Sequence, residues 1–176
     1  MTIFLSTVIL ASLFLVSGLA FCFEGFKIPA FRFLRSQAAA LVLVPLAGAW
    51  FLWILYNLTE ADFGQYKYIL MAIFGGAGLL SFKYLPDFLS VRGLSVLMIL
   101  SLREFLNSAY MVDEAYKFLF VLDCYILVVA FVYFGCLPYR MRDLFEWIFE
   151  KSARRKMVAA VFLLEAVSLF AVSLTY

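Results

Sequence analysis

The chain has 176 residues, 66% of them hydrophobic, a formal net charge of +2 and a mean hydropathy of +1.02. A 20.1 kDa domain in water cannot hide that much apolar surface, and a disordered chain would be polar and poor in aromatics. The absence of histidine excludes His-ligated haem, His-containing zinc sites and Ser-His or Cys-His catalysis, and so small a net charge gives no bulk field for nucleic acid.

A membrane-crossing helix needs about 20 mostly apolar residues. The first such stretch is 3–23. Gly18 and Ala20 resemble a signal-peptide cleavage site, but no Lys or Arg precedes the apolar run, so the segment is read as a retained span. A loop with Lys27, Arg32 and Arg35 follows. Span two, 37–57, holds Ala38–Ala40, Ala47, Gly48 and Ala49, together with Pro45, which should kink it or release a carbonyl. Span three, 67–82, is short and carries Gly75, Gly76 and Gly78. Small residues let membrane helices approach closely, so both small-residue groups are expected to be packing surfaces.

Span four, 93–112, is the least apolar, because it contains Arg103 and Glu104. Span five, 118–137, contains Asp123, and span six, 157–176, contains Glu165. Between them lies 139–156. There Met141, Leu144, Phe145 and Ile148 follow the i, i+3, i+4, i+7 spacing of one apolar face. Arg142 with Glu146, and Glu150 with Arg154, are spaced for i,i+4 pairs. The reading is an amphipathic helix on the cytoplasmic membrane surface. Arg140, Arg142, Trp147, Arg154, Arg155 and Lys156 would meet anionic headgroups or a partner protein.

The expected fold is therefore all-α: a single polytopic domain of six transmembrane helices with one interfacial helix between spans five and six. Lys and Arg near helix ends set orientation. The loops after spans one, three and five hold three, two and six of them, eleven in all, against Lys67 and Lys117 on the other side. Both termini should then lie outside the cell membrane, with the three basic loops in the cytoplasm. Trp53, Tyr56, Tyr66, Tyr68, Tyr110, Tyr116 and Tyr176 fall at the outer ends, and Tyr84, Tyr139 and Trp147 at the inner ends, where amphipathic rings prefer to sit.

Pro29, Pro86 and Pro138 each follow an apolar residue in a basic-side loop, at separations of 57 and 52 residues. That spacing is compatible with three like-oriented helical hairpins or a 3+3 inverted repeat. It equally fits helices that simply end near proline. Cys124 and Cys136 lie about 18 Å apart along one helix and cannot bridge.

Ionisable residues inside a span are costly and mark functional candidates. Counting from Gly93, Arg103 lies about 15 Å above the inner surface; counting from Met157, Glu165 lies about 12 Å above it. These depths predict an Arg103–Glu165 pair, with Asp123 a second partner and Asn107 able to hydrogen-bond beside Arg103 or Glu104. If span four instead ran 84–102, Arg103 and Glu104 would sit at the outer surface.

The chain contains no nucleophile elbow, phosphate-binding loop or metal-ligand spacing. The expectation is a non-enzyme without cofactor or metal: a subunit or scaffold packed against the bilayer, other membrane subunits or copies of itself. The alternative is a small ion, proton or solute transporter or channel that works as an oligomer through the charges of spans four to six. An intramembrane lipid-modifying enzyme using Glu104, Asp123 and Glu165 is a third possibility.

Overall fold

A computed structural model describes residues 2–110, 112–113 and 116–175. Met111 and Tyr176, which fall in the expected spans 93–112 and 157–176, lie outside the described residues. The described chain is helical, with no strand. The described residues form eight α-helices: α1 (Ile3–Cys22), α2 (Lys27–Leu34), α3 (Gln37–Tyr56), α4 (Lys67–Tyr84), α5 (Leu89–Ala109), α6 (Lys117–Cys136), α7 (Tyr139–Glu150) and α8 (Ser152–Ser173).

Local chemistry sets several boundaries. The Thr2 hydroxyl accepts the Leu5 N–H at 3.4 Å, and Ser36 accepts the Ala39 N–H at 3.1 Å, capping α1 and α3. Pro29 sits in the first turn of α2, where a missing N–H costs nothing. Pro45 lies inside α3, which continues through it. Phe88, with φ 56°, turns the chain sharply into α5.

Four helices, α1, α3, α6 and α8, are long and apolar enough to cross a membrane. The helices at the other two expected spans are α4, which has 18 residues and a lysine near each end, and α5, which carries Arg92, Arg103 and Glu104. Expected and observed limits agree closely except at two starts. Helix α5 begins at Leu89 rather than Gly93, and α8 begins at Ser152 rather than Met157, taking the Ala-Arg-Arg-Lys run into its first turns.

The loops 23–36, 85–88 and 137–151 share one end of the molecule, called here the basic end. Helices joined there do not form the main pairs. The strong packing partners are α1 with α8, α5 with α6, and α3 with α4 and α5. Three hairpins joined at the basic end are therefore not the packing unit. The proline segments also differ in structure, being a helix, a turn and a helix start.

Most of the core lies toward the opposite end, where Leu10 and Ala11 of α1, Leu102, Phe105 and Ala109 of α5, Phe120 and Cys124 of α6 and Leu169 of α8 form one buried cluster. Glycines permit two close crossings. A Cβ on Gly18 would stand 2.9 Å from Leu163 Cγ, and one on Gly93 would stand 2.9 Å from Val44 Cγ2 and 3.1 Å from the Val44 nitrogen. The expected packing role of Ala40 and Ala47 holds, since both are buried. The glycine group of α4 is different. A Cβ on Gly76 or Gly78 would meet nothing within 4 Å, and α4 buries no residue.

Candidate functional site

Three groups of polar side chains stand out against the apolar background. The first is a carboxyl pair. Asp123 projects from α6 into the core, is 5% exposed, and has Glu165 of α8 as a charged neighbour. Asp123 Oδ2 is buried without a hydrogen-bond partner, and no Lys or Arg among the described residues forms an ion pair with either acid. Two acids facing each other without a cation can take up a proton or a cation.

The second group is Arg103, Glu104 and Asn107. Arg103 Nη1 binds Glu104 Oε1 at 2.7 Å, with side chains 51% and 39% exposed. Asn107 is exposed as well. The buried residues Leu102, Phe105 and Ala109 define the other side of α5. The expected Arg103–Glu165 pair is therefore not formed, and the reason is rotation rather than depth. Starting α8 at Ser152 places Glu165 about 20 Å from the basic end, level with Asp123, which lies about 20 Å from the same end of α6. Arg103 sits about 21 Å along α5 but faces outward, and the adjacent Glu104 neutralises it.

The third group covers the basic end. Here Phe21 is the hub of an aromatic cluster, with ring centroids 5.7 Å from Phe26, 6.4 Å from Phe145, 6.0 Å from Phe149 and 5.8 Å from Phe162. Phe31 adds contacts to Phe145 and Phe149. The apolar side of α7 is thus spent on the protein: Ile148 is buried, Phe145 and Phe149 pack on the cluster, and Leu144 is exposed. The expected stripe is displaced, with Phe149 in the place of Leu144.

The six basic-end residues predicted as one surface divide. Arg155 turns inward, is buried, and binds Glu24 Oε1 through Nη2 at 3.0 Å. Arg154 binds Glu150 at 2.5 Å and lies 4.8 Å over the Trp147 ring, bridging the break at Lys151 between α7 and α8. Arg142 binds Glu146 at 3.3 Å, and Arg140 lies 3.9 Å from Asp143. Arg140, Arg142, Trp147 and Lys156 remain exposed. The structure therefore brings Asp123 to Glu165, and Arg103 to Glu104, but does not join the two pairs. It also adds Glu24, which nothing in its local sequence marks as a partner for a residue 131 positions away.

Two further polar contacts tie elements together. The Ser90 hydroxyl lies 2.7 Å from the Phe33 carbonyl and 3.0 Å from that of Leu34, fastening α5 to the end of α2. Ser108 and Ser6 hydroxyls meet at 2.7 Å between α5 and α1. No protein family, curated protein or solved structure matches the chain.

Proposed function

We propose that the protein is a non-catalytic, multi-pass membrane protein of six spans, acting as a subunit or scaffold within a larger membrane assembly. In this reading α4 and α5 cross the bilayer beside the four strongly apolar helices. Both termini lie outside, and α7 rests at the cytoplasmic surface. The observation that carries it is α4: a helix with no buried residue, packed mainly on α3, whose Gly76 and Gly78 have open space before them. Small residues on a membrane helix allow close approach of another helix. Within the chain these two glycines are not used for it.

The test is gentle extraction into lipid nanodiscs followed by native mass spectrometry. The expected result is a complex larger than one copy, lost in Gly76→Leu and Gly78→Leu while the monomer stays folded. A single copy for the wild type, with both variants behaving alike, overturns the proposal.

The Asp123–Glu165 pair favours a second reading, a proton- or cation-conducting oligomer, because two acids without a counter-ion inside a bundle suit such cargo. Proteoliposomes holding the purified protein would then show a cation or proton flux that Asp123→Asn lowers about tenfold or more. Equal flux in protein-free liposomes removes this reading and leaves the first untouched.

A further inference from the structure

A lateral cleft of about 340 Å³ lies between α5 and α6, toward the basic end. Its walls are Val96, Ile99, Phe131 and Val132, with Gly135 and Cys136 at the basic end of α6. Two polar side chains line this otherwise apolar cleft, Arg92 and Ser95. Ser95 is 1% exposed, and its Oγ has no hydrogen-bond partner among the described residues. Arg92 Nε is likewise buried and unpartnered, and Arg92 forms no ion pair among the described residues. No carboxylate lines the cleft.

Buried donors without acceptors are costly, and Arg92, itself half-buried, keeps a charged group at the same place. Both donors lie on one face of α5. Arg92, Ser95, Val96 and Ile99 follow the i, i+3, i+4, i+7 rule, so the polar head of that face is continuous with its apolar wall. The face also has a direction. Arg92 is in the first turn of α5 and Cys136 is the last residue of α6, whereas Ile99 and Phe131 lie deeper, Ile99 by about 10 Å. Close helix approach shapes the site. A Cβ on Gly135 would stand 3.3 Å from Ser95 Cβ, so Gly135 keeps α6 against α5 just where the two donors sit. The volume falls at the small end of the range for ligand pockets.

We propose that this cleft binds one anionic lipid. Its acidic oxygens accept hydrogen bonds from Arg92 and Ser95, and its acyl chain lies along Val96, Ile99, Phe131 and Val132. The ligand chemistry is an anionic oxygen head on an apolar chain, supplied by a phospholipid phosphate or by a fatty-acid carboxylate. A zwitterionic head brings its own cation to Arg92 and fits worse. The site does not involve the Gly76–Gly78 face or the Asp123–Glu165 pair, so it stands apart from the proposed function.

The experiment uses the delipidated full chain, titrated in native mass spectrometry with phosphatidylglycerol, with oleate and with phosphatidylcholine. The expected result is one retained adduct for an anionic amphiphile and none for phosphatidylcholine at equal concentration. Phosphatidylglycerol retention assigns the head as phosphate, and oleate retention assigns it as carboxylate. Arg92→Gln should weaken the adduct about tenfold or more, as expected for loss of a charged hydrogen bond. Val96→Trp, which fills the cleft and keeps both donors, should do the same. Arg35→Gln, a cation at the same end outside the cleft, should change nothing.

Cys136 gives a readout that alters neither donor. Its thiol is exposed. In a Cys22→Ser background, the bound lipid should slow maleimide labelling of Cys136 several-fold compared with phosphatidylcholine. Equal retention of anionic and zwitterionic lipid, or unchanged binding in both Arg92→Gln and Val96→Trp, overturns the assignment.

Discussion

Arg155 illustrates how a charge is kept inside an apolar end of the molecule. Its guanidinium is buried beside the Phe21 cluster, with one nitrogen on Glu24 and Nε without a partner. Glu24 is 79% exposed, so its share of the pair is screened by water and worth about 1 kcal/mol at most. The larger contribution is packing of the arginine stem against its neighbours. Arg155→Ala should therefore lower stability by about 2–3 kcal/mol and Glu24→Ala by about 1 kcal/mol, read from thermal unfolding in one detergent. Equal losses would mean that the ion pair, not the packing, matters. Partner choice of this kind was the least legible part of the sequence. Glu24 and Arg155 are far apart in the chain, and Arg103 was matched to Glu165 by depth alone. Depth depends on where a helix starts, and partner choice depends on how it is rotated. Neither is encoded by hydropathy. Asp123 and Glu165 could be singled out as costly residues, but not joined to each other.

At the scale of helices, hydropathy and length located the four strongly apolar helices α1, α3, α6 and α8 to within about five residues, because apolar runs are local features. The two displaced starts, Leu89 and Ser152, are charged or turn-rich stretches, where membrane preference and helix propensity point different ways. Glycine use is only partly legible. The clustered glycines of α4 mark a packing surface in the sequence, yet within the chain the closest helix crossings fall at single glycines, Gly18 and Gly93. Clustering is visible in a sequence, whereas the crossing point of two helices is not. Gly93→Val should force α3 and α5 apart and cost about 1–3 kcal/mol. Gly76→Val should leave monomer stability within about 0.5 kcal/mol. Denaturation of both purified variants checks this, and comparable losses at the two positions would contradict the crossing geometry.

For the whole molecule, the accessible surface is 10900 Å², against about 8700 Å² for a compact water-soluble monomer of the same mass. The excess fits a layered arrangement in which α4 and α3 extend from one side of α5, leaving faces for lipid or neighbours. The basic loops lie together at one end, and the starts of α1 and the end of α8 lie at the other. Reporter fusions at the two termini and at position 112 should therefore report one side of the membrane, and fusions at positions 35, 86 and 151 the other. Opposite readings for the two termini would exclude six spans and require an odd number.

The pairing of α1 with α8 has a consequence for biosynthesis. The face of α1 that carries Ala11 and Gly18 packs against α8, made about 150 residues later. During synthesis that face lacks its α8 partner until the intervening helices have been made. Closing such a long loop is slow in entropic terms, since the ends must be brought together before any contact rewards it. A nascent chain arrested before α8 would therefore present an open α1 seam, with Ala11 and Gly18 uncovered.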